Sequence, residues 1–68
     1  MKILTREEVE VAIRKAIKKS KKQDCRIQVH LDSGAMCIYW VGERSTHKPE
    51  QIARMYDGRI TEVTRGEE

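Results

Sequence analysis

The sequence predicts an α+β fold with element order α-β-β-α-β: a single small domain in which an antiparallel three-stranded sheet carries both helices on one face. Three observations lead there. A helix start signal at Thr5 opens an apolar stripe of helical period, two alternating runs flank Ser33-Gly34, and a proline-led segment over 49–56 is closed by Asp57-Gly58.

The first element starts at a capping box. Thr5 is followed three residues later by Glu8, so the Thr5 hydroxyl can take the Glu8 amide while the carboxylate returns to the Thr5 amide, and Leu4 and Val9 occupy the staple positions around it. At 100° per residue Val9, Ala12, Ile13, Ala16, Ile17 and Ser20 share one stripe, with Arg14, Lys15, Lys18, Lys21 and Lys22 on the other side. Acidic residues lead and lysines follow, the order that suits the helix dipole. The helix is expected from about Arg6 to about Ser20.

The second and third elements are 25–31 and 35–41. With Ser33-Gly34 as a two-residue loop, Leu31 faces Met36, Val29 faces Ile38 and Ile27 faces Trp40, and these six side chains point at the helices. The opposite face then carries Arg26, Gln28 and His30 across from Val41, Tyr39 and Cys37. Proline in a first turn, Ile52, Met55 and Tyr56 on one side and Gly58 after the end describe a short second helix. Residues 59–64 have strand composition, but Ile60 and Val63 differ in parity and need a bulge or an edge position to be buried together. Residues 65–68 are expected to fray.

Size limits what such a chain can do. With 68 residues, of which Leu, Ile and Val make up 14 and Phe none, it has a thin core. A chain of this length buries only roughly 60% of its unfolded surface, so a partner or self-association often completes it. A homodimer through strand pairing or the outer sheet face is expected, and a large substrate cleft is excluded. No apolar run approaches the roughly 18 residues of a membrane-spanning helix, and the first residues lack the apolar stretch of a signal peptide. The expectation is a cytoplasmic protein that does not use a membrane.

Net charge is +3, and its distribution is uneven: residues 1–22 hold eight basic and three acidic side chains. Arg14, Lys15, Lys18, Lys19, Lys21 and Lys22 can neutralise several phosphates of DNA or RNA without reading sequence. The plainer reading of the same charges is a solvated face that keeps a small protein in solution. On the outer sheet face Tyr39, with Arg26, Gln28 and His30 beside it, has the composition of a surface that stacks an unpaired base and reads its edge. These ten residues are the binding candidates, against the plainer reading of an ordinary wet face.

Catalysis finds less support. Cys25, His30, Cys37 and His47 are separated by four, six and nine residues, without a Cys-x-x-Cys or His-x-x-x-His pair, and the expected register puts Cys25 on the opposite face from His30 and Cys37. No metal or other cofactor is expected. His30 opposite Cys37 is the one nucleophile-and-base pair in view, on a flat surface with no enclosure. A ribonuclease using His30 or His47 as base ranks below the other readings. The sequence therefore points to a non-catalytic binding module. Its partner is nucleic acid or, as the alternative, an acidic surface of another protein, as for the small regulators and inhibitors encoded by phages and mobile elements.

Overall fold

The computed structural model describes residues 2–20, 24–42, 44–45 and 47–66. Five elements follow in the expected order: α1 (Arg6–Lys19), β1 (Asp24–Leu31), β2 (Met36–Gly42), α2 (Pro49–Met55) and β3 (Ile60–Arg65). The strands form one antiparallel sheet in the order β2-β1-β3 with both helices packed against it.

The start of α1 is built as its sequence requires. Thr5 N–H donates to Glu8 Oε1 at 3.0 Å, and Glu8 N–H donates to Thr5 Oγ1 at 3.1 Å. Val9, Ile13 and Ala16 are buried, with Leu4 and Ile17 packed at the margin of the core. Leu4 also donates its N–H to Ile60 O at 2.8 Å, which ties the segment before α1 to β3.

Central strand β1 alternates strictly. Cys25, Ile27, Val29 and Leu31 are buried beneath the helices, and Arg26, Gln28 and His30 face the other way. Its pairing with β2 differs from the expected one by a single residue. Ile27 lies opposite Tyr39, Val29 opposite Cys37, and His30 opposite Met36. The turn accounts for the slip. Leu31 N–H donates to Ala35 O at 2.8 Å and Gly34 N–H to Leu31 O at 3.0 Å, so the loop is the three residues Asp32, Ser33 and Gly34, with Gly34 at φ +92°. A two-residue loop over Ser33-Gly34 needs positive φ at Ser33 in either favoured turn type, whereas the three-residue loop asks for it at the glycine alone.

This slip turns β2 over. Val41 is fully buried and Cys37 and Tyr39 are half-buried toward the helices, while Met36, Ile38 and Trp40, expected in the core, are 45%, 51% and 51% exposed. Tyr39 is thus not on the outer face, and Trp40 is not a core residue.

In α2, Pro49, Ile52 and Ala53 are buried, and Tyr56 just beyond its end is half-buried. Met55, expected on the inward side, points outward because the buried side of this short helix is centred on Ile52 and Ala53. The parity problem in β3 is solved by a bulge: Leu31 pairs with Ile60, and the next pair is His30 with Glu62, leaving Thr61 as the extra residue. Ile60 is buried and Val63 half-buried on the same face as a result. Strand β3 runs one residue past its expected end, to Arg65, and Gly66 N–H donates to Arg26 O at 2.7 Å.

Candidate functional site

Two surfaces separate the candidate residues. The open face of the sheet, away from the helices, carries Arg26, Gln28 and His30 from β1, as expected, beside Glu62 and Thr64 of β3. Its β3 side is an ordered polar network. Thr64 Oγ1 donates to Gln28 Oε1 at 3.2 Å and is hydrogen-bonded to His30 Nε2 at 3.2 Å. Its β2 side is apolar, a row of Met36, Ile38 and Trp40 at every second position of an edge strand. The Arg26 guanidinium lies 6.0 Å from the Trp40 ring centroid, at the outer range of a cation–π contact. The aromatic on this face is therefore Trp40, with Tyr39 on the reverse side.

The second surface is the outer side of α1, beyond the sheet's covered face. Arg14, Lys15, Lys18 and Lys19 are exposed there, and Lys21 and Lys22 lie outside the described residues. Arg14 is engaged with carboxylates, at 3.2 Å from Glu10 and 3.7 Å from Glu50, which offsets part of the positive field. Lys15 and Lys19 stand with Arg65 around a shallow groove between α1 and β3 floored by Ala12, Ala16 and Val63. Because the helices lie on one face of the sheet and the polar strand residues on the other, one flat ligand cannot engage both sets.

A third cluster, which sequence reasoning missed, joins β2 to α2. The hydroxyls of Tyr39 and Tyr56 are hydrogen-bonded, Tyr56 Oη donates to Cys37 Sγ at 3.6 Å, and the His47 ring meets Tyr39 edge-on at 4.8 Å between centroids. The bond to Tyr39, the bond to Cys37 and burial together push the Tyr56 hydroxyl above its ordinary value of 10.0. It remains a protonated donor that anchors the end of α2. The signal for this cluster was the turn, since Ser33 in the first position of a two-residue loop argues for the other register.

Side chains proposed for chemistry are dispersed. Cys25 lies opposite Val41 and Cys37 opposite Val29, so both thiols share the covered face and are kept apart along the strands, not by the sheet as expected. His30 faces Met36, which dissolves the His30–Cys37 pair. Among the described residues no three His, Cys, Asp or Glu side chains come together as metal ligands. Nor is any helix among them long and apolar enough to cross a membrane. Compared with family models, curated proteins and solved structures, the chain has no significant match in any of the three.

Proposed function

We propose that the chain is a non-catalytic protein-interaction module whose working surface is the open face of the sheet. The observation that carries this reading is the row of Met36, Ile38 and Trp40, half exposed and adjacent to Arg26. Scattered apolar side chains are ordinary on a protein surface, but three large ones in register on a flat strand form a patch of the kind that marks a binding site. Tryptophan, arginine and methionine are also the residue types enriched where interface energy concentrates. The complementary partner is a protein surface with an apolar recess for Trp40.

Affinity capture from nuclease-treated lysate tests the reading. Wild-type protein is expected to retain a stoichiometric protein partner, and Trp40→Ala to weaken that retention by at least about 2 kcal/mol, roughly thirtyfold, as for a central anchor. Equal retention by the variant refutes the assignment of the surface.

A second reading, nucleic-acid binding through α1, is favoured by one arrangement: Lys15 and Lys19 share a groove with Arg65, and Lys18 is exposed close by on the same helix. Phosphate binding there is of the sequence-independent kind. It ranks second because Arg14 is already paired with two carboxylates.

A further inference from the structure

The two edges of the sheet are treated differently. On β3 the bulge at Thr61, the charges of Glu62 and Arg65 and the hydrogen bond from Leu4 N–H to Ile60 O interrupt any further strand pairing. Strand β2 has none of these protections. From Ala35 to Val41 there is no charge, no proline and no glycine, and its ladder with β1 is unbroken from Met36 to Gly42. Along its outer side the backbone contacts described lie at the far end: the bridge from Val41 to His47 and a hydrogen bond from Lys48 Nζ to Gly42 O at 3.2 Å.

Ladder geometry identifies which backbone groups are left over. Leu31 N–H bonds to Ala35 O, so hydrogen-bonded pairs recur at Val29–Cys37 and Ile27–Tyr39, and the intervening pairs His30–Met36 and Gln28–Ile38 are not bonded across the ladder. Met36 and Ile38 therefore direct both N–H and C=O away from β1, at the open edge.

We propose that this edge pairs with a second copy of itself, β2 against β2, antiparallel about a two-fold axis at Cys37. In that register Met36 of one copy exchanges both backbone bonds with Ile38 of the other, and the reverse pair does the same. Every outward backbone group of the two residues is then satisfied. On the open face Met36 lies beside Ile38 of the other copy, an apolar contact at each end of the pairing. An uncharged strand meets its own copy without like-charge repulsion, and the match is reciprocal, as an isologous interface requires. The sheet becomes six-stranded, and the exposed apolar rows of the two copies merge into one central band.

Cys37 reports the register. It falls opposite its own copy in a non-hydrogen-bonded pair, where Cα atoms are about 4.5 Å apart, inside the range a disulfide spans. Light scattering of the purified, reduced protein at high micromolar concentration is expected to give a dimer. Ile38→Pro removes an N–H that faces outward, a position where an edge strand accepts proline, and is expected to weaken the dimer at least tenfold with the circular dichroism unchanged. Diamide takes two hydrogens from the paired Cys37 thiols as it is reduced to its hydrazine. A covalent dimer is expected from wild type and Cys25→Ala, and none from Cys37→Ser. A reduced wild-type monomer overturns the proposal, as does a covalent dimer that survives Cys37→Ser. If Ile38→Pro fails to fold, the cross-link decides. Edge pairing is measured on the purified chain alone, so its failure leaves the open-face docking reading standing, and loss of partner capture leaves the dimer standing.

Discussion

Glu8 does two things at once, and both depend on its charge. Its carboxylate accepts from Thr5 N–H and lies 3.1 Å from Lys2 Nζ, and those contacts, the backbone bond foremost, hold it below the ordinary value of 4.5. A depressed carboxylate contributes its stabilisation above the unfolded value and loses it as the pH falls through the folded one. Helix α1 is therefore expected to weaken as the pH drops below 4.5, and Glu8→Gln, which keeps an acceptor for the cap, is expected to flatten that dependence. Acid titration followed by circular dichroism checks it; an unchanged acid slope in the variant removes Glu8 as the cause. This residue was legible in the sequence because a capping box is complete within four consecutive positions. Tyr56 was not, since its partners Tyr39 and Cys37 lie 17 and 19 residues away and meet it only in the correct register.

At the scale of elements, helices were easier to place than the hairpin. The stripe on α1 has one apolar side, so its buried residues follow from period alone. Strand β2 is apolar on both sides: Cys37, Tyr39 and Val41 on one, Met36, Ile38 and Trp40 on the other. An apolar pattern selects a register only when one face is polar, and here it gave two acceptable answers. Turn chemistry chose between them. Gly34 sits at φ +92° with open space where a Cβ would stand, so Gly34→Ala is penalised by backbone conformation and not by a clash. The expected cost is about 1–2 kcal/mol, measured by urea denaturation. A variant as stable as wild type would remove the glycine as the residue that holds the loop. The bulge in β3 was legible for the opposite reason, because Ile60 and Val63 are its two large apolar residues and their parity conflict has few resolutions.

For the whole molecule, fold class and element order followed from local signals, but the face presented by β2 did not. Of the ten candidate residues, Arg26, Gln28 and His30 share the open face, Tyr39 is turned away from it, and the described basic residues of α1 occupy the far side. The nucleic-acid reading makes its own demand at this scale. If α1 binds phosphates, replacing Lys15, Lys18 and Lys19 by alanine is expected to weaken a labelled duplex and a labelled single strand alike and to reduce the salt slope by about one unit for each phosphate no longer neutralised. Fluorescence anisotropy across salt measures both, and no binding by wild-type protein at low salt leaves those lysines as a solvated face.

Strand order sets the schedule on which the molecule forms. Strand β1 lies between β2, made directly after it, and β3, the last of the five elements, and the backbone bond from Leu4 to Ile60 joins the earliest described segment to that last strand. Without β3, one side of the central strand is left open. Closing it requires a contact between distant parts of the chain, the slow kind of step in folding. A chain cut before Ile60 is therefore expected to leave both sides of the hairpin unpaired and to aggregate more readily than the full sequence.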